Sequence, residues 1–108
     1  MYTVYLADDE QLIREGLAET IPWESLRMRL VGTAEDGRHA LRGIREHKPD
    51  IVLTDIRMPY LDGLELIGKI REVHPSCRVV IISGHGEFTY AQSAIQLGVS
   101  DFILKPVD

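Results

Sequence analysis

The stretch "IVLTDIRMPYLDG", residues 51–63, runs from an apolar segment through an aspartate to a proline and a glycine. Its first four residues are apolar or β-branched without polar alternation, a pattern typical of a strand that is covered on both faces in a parallel sheet. Pro59 and Gly63 then predict a loop. Asp55 is therefore expected where a buried strand ends.

Four further runs of strand length lie on either side of this one. The five predicted strands are Tyr2 to Ala7, Leu30 to Ala34, Ile51 to Thr54, Val79 to Ser83 and Asp101 to Leu104. Segments with helical spacing separate them. The alternation of strand and helix predicts an α/β domain with an open parallel sheet and right-handed crossovers.

Apolar residues recur at helical spacing in the four connecting segments. The stripes are Leu12, Ile13 and Leu17; Ala40, Leu41 and Ile44; Leu66, Ile67, Ile70 and Val73; and Phe88, Ala91, Ala94 and Ile95. Asp62 and Glu65 predict a capping box at the start of the third helix, and Pro75 predicts its end. Gly98 is expected to close the fourth helix.

Composition limits the classes of protein to consider. With 108 residues the chain forms one domain. Seventeen acidic and twelve basic residues give a net charge of -5, so we expect no direct binding of nucleic acid by this domain. The lone Cys77 is expected in the core, and we expect a cytoplasmic protein with no membrane partner, because no leader or membrane-length apolar stretch is present.

The end of the sequence raises a question about the sheet. A sheet with helices on both faces needs a fifth helix, and the sequence ends at Asp108, where that helix would begin. A helix covering about 400 Å² of apolar surface contributes on the order of 10 kcal/mol. We therefore expect the natural chain to continue beyond this point, or a neighbouring molecule to cover the face.

Polar side chains follow four of the predicted strands, at the edge where open α/β sheets bind ligands. They are Asp8, Asp9 and Glu10 after the first strand, Asp55 after the third, Ser83 at the end of the fourth and Lys105 after the fifth. Carboxylates this close repel one another and need a cation, and Mg²⁺ takes such hard oxygen ligands. Asp55 is then placed as a nucleophile toward phosphorus, with Lys105 and Ser83 contacting the phosphoryl oxygens.

Four motifs in this order, "LADDE", "IVLTDIRMPYLDG", "VVIISG" and "FILKP", resemble the receiver domain of two-component response regulators. The resemblance runs from Tyr2 to Asp108. It implies a flavodoxin-like, doubly wound, five-stranded parallel sheet in the order 2-1-3-4-5, with residues 1–108 forming a receiver domain that is truncated before its last helix.

The resemblance also implies a role for each site residue. Asp55 is the phospho-acceptor, and Asp8, Asp9, Asp55 and the backbone carbonyl of Arg57 hold Mg²⁺. Ser83 is the switch hydroxyl, Lys105 contacts the phosphate, and Phe102 is the switch aromatic. The domain is then a signalling switch and not an enzyme.

The segments "IPWE", "DIRMPYLDGLELI" and "SGHGEFTYAQSAIQLGVSDFILKPVD" resemble receivers that precede an AraC-type helix-turn-helix output domain. The implied partners are a sensor histidine kinase, the output domain and a second copy in a homodimer. A stand-alone receiver or phosphorelay protein is one alternative. A hydrolase with an aspartyl-phosphate intermediate is another, although such hydrolases carry a second aspartate where this chain has Arg57.

Overall fold

The computed structural model describes residues 1–83, 98 and 101–104, which form five strands and three helices. The elements are β1 (Tyr2–Ala7), α1 (Gln11–Thr20), β2 (Met28–Ala34), α2 (Gly37–His47), β3 (Ile51–Asp55), α3 (Gly63–Val73), β4 (Arg78–Ser83) and β5 (Asp101–Leu104). The predicted strands agree with these bounds to within two residues. The predicted fourth helix and Lys105 lie outside the described residues.

The strands form one parallel sheet in the order β2-β1-β3-β4-β5. The predicted order and the predicted open parallel sheet are therefore confirmed. Ala7 pairs with both Ala34 and Thr54, so β1, β2 and β3 end at the same edge of the sheet. The residues that follow these strands are brought together there.

The two faces of the sheet carry different helices. On one face α2 and α3 bury Ala40, Ile44 and the apolar side of α3 against the sheet. On the other face α1 packs Leu17 against Leu6 and Ile82. The sheet is thus doubly wound, as predicted, while the expectation of a further helix stays a prediction.

Among the described residues, the prediction that Leu12 faces the core is wrong. Leu12 is 86% exposed, whereas Leu17 is buried and Ile13 is partly buried. The adjacent apolar residues Leu12 and Ile13 lie about 100° apart around a helix, and the packing of α1 selects Ile13. In α2 and α3 the other residues of the predicted stripes face the core, except that Val73, at the end of α3, is only partly buried and lies outside the core cluster.

The capping box predicted for α3 is present. Asp62 accepts a hydrogen bond from the backbone N–H of Glu65, and the Glu65 side chain accepts one from the backbone N–H of Asp62. The helix ends at Val73, two residues before Pro75. Gly98 has a φ of +77°, in the left-handed region that favours glycine, and the helix that it was predicted to end lies outside the described residues.

The ring of Tyr5 fills a slot between β2 and α2. A Cβ atom at Gly32 would lie 2.7 Å from Tyr5 Cε2, and one at Gly43 would overlap the Tyr5 hydroxyl group. That hydroxyl donates a hydrogen bond of 3.3 Å to the carbonyl of Thr33. The two glycines therefore let the ring sit under α2 and set the distance of this helix from the sheet.

The longest helices in the described ranges, α2 and α3, have eleven residues each. A helix that crosses a membrane needs about 20 apolar residues. Among the described residues, no helix could therefore span a bilayer.

Candidate functional site

Four acidic side chains meet at the edge of the sheet where β1 and β3 end. One carboxylate oxygen from each of Asp8, Asp9, Glu10 and Asp55 lies within 4.8 Å of the others. Asp8 is fully buried and Asp55 is 2% exposed, whereas Asp9 and Glu10 face solvent. The cluster is thus built from a buried pair and an exposed pair.

Asp8 is held by hydrogen bonds in three directions. Its backbone N–H donates to the carbonyl of Ala34 (3.0 Å), and its Oδ1 accepts from the backbone N–H of Glu10 (2.8 Å). Its backbone carbonyl accepts from Nη1 of Arg14 (2.8 Å). The turn between β1 and α1 is therefore ordered around Asp8.

Asp55 is the last residue of β3, and its carboxylate is oriented by its own backbone. Oδ1 accepts a hydrogen bond of 2.8 Å from the N–H of Ile56. The hydroxyl of Thr54 donates to the Asp55 carbonyl at 2.9 Å. The N–H of Gly63 donates to the Ile56 carbonyl, so the start of α3 closes directly onto this strand end.

The loop after Asp55 rests on the first turn of α2. The N–H of Gly37 donates to the carbonyl of Pro59 (3.4 Å), and a side chain at Gly37 would overlap the carbonyl of Leu61. The guanidinium of Arg38 lies 4.4 Å from the ring centroid of Tyr60, a cation–π geometry. These contacts connect the loop after Asp55 to α2.

Asp36 caps α2 beside this loop. Its Oδ1 accepts from the backbone N–H of His39 (2.8 Å), and its Oδ2 lies 2.6 Å from His39 Nδ1. Burial raises the pKa of Asp36, but hydrogen bonds and charge from His39 outweigh this effect and hold the pKa below its usual value. The two residues line an open groove of about 380 Å³ together with Asp9 and Tyr60.

The acidic cluster fits a small divalent cation. Two carboxylates at the 4.8 Å limit of the cluster repel each other by about 3.5 kcal/mol at an effective dielectric near 20. Mg²⁺ binds oxygens at about 2.0–2.1 Å, so ligands on opposite sides of the ion lie about 4.1 Å apart. The 4.8 Å limit on the spacing of the cluster is slightly above that distance, so a pair of its oxygens would have to move closer together to bind on opposite sides of the ion.

The structure brings together three of the predicted site residues, namely Asp8, Asp9 and Asp55. Arg57 is exposed, two residues after Asp55. Ser83 ends β4 and pairs with Leu104, and Phe102 pairs with Ile81. The side chains of Ser83 and Phe102, and all of Lys105, lie outside the described parts of the chain.

The sequence did not single out Arg14 as part of this site. Its guanidinium contacts the acidic turn from the first turn of α1. A basic residue near a helix N-terminus is unfavourable for the helix dipole. A basic residue at this unfavourable position, six residues after Asp8, was the feature of the sequence that pointed to a role for Arg14.

Comparisons with known proteins identify the family of this domain. Residues 4–108 match the family model described as "Response regulator receiver domain". The chain is 48% identical over 106 residues to an uncharacterized transcriptional regulatory protein, YesN, of Bacillus subtilis, covering 98% of this chain and 29% of the relative. It is 44% identical over its full length to the transcriptional regulatory protein HptR of Staphylococcus aureus and covers 42% of that relative.

A solved structure shows the same fold. The receiver domain of AraT, a response regulator from Geobacillus stearothermophilus, matches with a TM-score of 0.95 and 46% identity, covering 99% of this chain and 83% of that one. The present chain spans less than half the length of the two regulatory proteins it resembles.

Proposed function

The chain belongs to the response regulator receiver domain family of two-component signalling, and from that premise we propose that Asp55 accepts a phosphoryl group from a sensor histidine kinase. The new charge at Asp55 then shifts an equilibrium between two conformations of the domain. The output of the domain is a changed surface and not a chemical product.

The observation that carries the proposal is the position of Asp55 in the acidic cluster. Asp55 is 2% exposed and ends a central strand, and one of its carboxylate oxygens lies within 4.8 Å of an oxygen from each of three other carboxylates. Carboxylates this close repel one another, and a bound divalent cation relieves the repulsion. A reaction at Asp55 that requires a bound cation accounts for the clustering of these carboxylates.

The proposed transfer needs little from the protein besides positioning and charge. A carboxylate oxygen of Asp55 attacks phosphorus, a P–O bond forms, and the P–N bond to the donor imidazole breaks. The imidazole nitrogen keeps the electron pair and takes up a proton. Attack of water on the resulting acyl phosphate releases inorganic phosphate and restores Asp55.

Receiver domains generally bind Mg²⁺ in an acidic pocket, and the donor set found here suits that ion. We assign its binding to Asp8, Asp9, Asp55 and the backbone carbonyl of Arg57. When bound, the ion neutralises charge on the phosphoryl oxygens. The buried Asp8 is fixed for this role by its hydrogen bonds to Ala34, Glu10 and Arg14.

The switch roles of Ser83, Phe102 and Lys105 form part of the same proposal. The register supports them, because Ser83 pairs with Leu104, the residue before Lys105. The Ser83 hydroxyl and the Lys105 ammonium would contact the phosphoryl group, and Phe102 would respond to the movement of Ser83. Such charge-assisted hydrogen bonds are the stronger class.

We further propose that the domain controls an AraC-type transcriptional output in a longer cytoplasmic protein. The support comes from the transcriptional regulatory relatives, which extend well beyond the matched region. Homodimerisation on phosphorylation is one route by which the switch could act. A stand-alone receiver is the alternative, and the sequence of the full natural chain distinguishes the two.

Labelling with acetyl phosphate and Mg²⁺ tests the acceptor role. We expect a base-labile mass increase of one phosphoryl group, mapped to Asp55 and abolished by chelation or by Asp55→Asn. Asp50→Asn is the matched control, because Asp50 lies at the other end of β3. Absence of the adduct contradicts the proposal, and steady turnover of a generic phosphate ester would instead support the hydrolase.

A further inference from the structure

We propose that Arg14 is a positioning residue for the cation site and that it holds the Asp8–Asp9 turn in the geometry that binds Mg²⁺. This inference rests on the proposed function, since it assigns a role in the same site. It adds a residue that lies outside the acidic cluster and contacts none of the reacting atoms in the proposed transfer.

Two contacts of Arg14 converge on the acidic turn. Its backbone N–H donates to the carbonyl of Glu10 at 2.9 Å, which closes the first turn of α1. Its side chain reaches back, and Nη1 donates to the carbonyl of Asp8 at 2.8 Å. A single residue therefore fixes the backbone on both sides of Asp9.

The carbonyl of Asp8 belongs to the peptide group that leads into Asp9. Because a peptide group is planar, orienting this carbonyl also orients the N–H and Cα of Asp9. The Asp9 side chain is exposed, so its direction depends on this backbone more than on packing. Arg14 thereby helps to place the exposed Asp9 carboxylate near the buried Asp8 and Asp55.

The Arg14 side chain is only partly exposed. It lines an open groove of about 240 Å³ with Thr33, Ala34, Glu35 and His39. Its planar group offers five donors in a fixed arrangement. A flexible side chain at this position would hold the Asp8 carbonyl less firmly.

Charge and geometry predict opposite effects for the loss of Arg14. A positive charge beside the cluster opposes binding of a second cation, so removing the charge alone would tighten Mg²⁺ binding. Loss of a group that orients ligands typically weakens metal binding by about 10-fold to 100-fold. Whether Mg²⁺ binding becomes tighter or weaker on loss of Arg14 therefore distinguishes the charge effect from the positioning effect.

The test is calorimetric titration of Mg²⁺ into the wild type and the variants Arg14→Met, Arg14→Lys and Arg45→Met. We expect Arg14→Met to weaken binding by about 10-fold and Arg14→Lys to recover part of the loss. Arg45→Met should match the wild type, because Arg45 is exposed in the last turn of α2. Urea unfolding of each variant shows that it is folded.

Amide hydrogen exchange without metal gives a second readout. The N–H of Glu10 donates to Asp8 Oδ1, and we expect it to exchange several-fold faster in Arg14→Met. Binding of Mg²⁺ that is unchanged or tighter in this variant overturns the inference, and unchanged exchange at Glu10 shows that Arg14 does not order the turn. If the wild type binds no Mg²⁺ and is not labelled at Asp55, the proposed function fails, while the exchange comparison still decides whether Arg14 orders the turn.

Discussion

Nη2 of Arg71, in the last turn of α3, donates a hydrogen bond of 2.6 Å to the backbone carbonyl of Gly98, 27 positions further along the chain. Nη1 of the same guanidinium donates to the carbonyls of Pro75 (3.2 Å) and Cys77 (2.5 Å). One side chain thus joins the α3–β4 connection to the residue that lies shortly before β5.

Replacement of Arg71 should therefore destabilise the domain. We expect Arg71→Met to lower the free energy of unfolding by about 1–2 kcal/mol, since the hydrogen bonds are charge-assisted but partly exposed. Arg71→Lys should recover only part of this stability, because an ammonium group lacks the planar arrangement of donors with which the guanidinium contacts three carbonyls. Urea denaturation measures both, with Arg45→Met as control, and equal midpoints for all four proteins would show that these bonds contribute nothing.

We predict that a side chain at position 63 disturbs the end of β3, which carries Asp55. A Cβ atom there would lie 2.7 Å from the Cα of Ile56 and would overlap the carbonyl of Asp55. Both are backbone atoms, so the strand end must move. We expect Gly63→Ala to lower the free energy of unfolding by about 2 kcal/mol and to slow phosphoryl labelling of Asp55.

Gly68 provides a matched control in the same helix. A Cβ atom at Gly68 meets nothing within 4 Å, so Gly68→Ala should stabilise the domain by up to about 1 kcal/mol through helix propensity. Labelling of this variant should equal that of the wild type. The steric account is wrong if the two alanine variants change stability in the same direction.

The Asp36 cap predicts a dependence of stability on pH. Burial raises the pKa of Asp36, but its interactions with His39 hold the pKa below the usual 3.8. A carboxyl group whose pKa is lower in the folded state stabilises the fold above its unfolded pKa, and this stabilisation is lost as the pH falls through the folded value.

Asp36→Asn keeps a capping oxygen and removes the charge. At neutral pH we expect this variant to be less stable than the wild type by about 1 kcal/mol, and the difference to shrink as the pH drops below 3.8. Urea unfolding across this range measures the difference. If the difference in the free energy of unfolding between the two proteins stays constant down to the lowest pH at which the protein folds, Asp36 is not the source of the pH dependence.

Cys77 predicts slow thiol chemistry. Burial raises the pKa of the Cys77 thiol to about 11; Arg71 opposes this rise, and Asp50 adds to it. Relative to an unfolded thiol, two pKa units reduce the thiolate fraction about 100-fold. We expect iodoacetamide to modify the native protein at least that much more slowly than the urea-unfolded protein, and similar rates would mean that the thiol is accessible.

The sequence predicted those parts of the fold that follow from local pattern. The unbroken apolar runs at Ile51 and Val79 specified buried strands, and the pair Asp62 and Glu65 specified a capping box; both depend on neighbours in the chain. The acidic cluster was also predictable, because parallel strands end at one edge and Asp8 and Asp55 each stand at a strand end.

Other features depend on tertiary packing and left no clear pattern. The exposure of Leu12 follows from the rotation of α1 on the sheet, and the contact of Arg14 with Asp8 depends on a side chain that turns back along its own helix. The contact of Arg71 with Gly98 joins segments 27 residues apart. Side chains that donate to distant carbonyls cannot be inferred from spacing alone.

The packing of the Tyr5 ring restricts which residues can replace Gly32 and Gly43 in homologues. Gly32 and Gly43 belong to different elements, yet both are required by the same aromatic ring. Homologues that carry a smaller residue at position 5 should therefore accumulate alanine or serine at positions 32 and 43, and those that retain tyrosine should keep both glycines. The packing therefore predicts that positions 5, 32 and 43 covary among homologues.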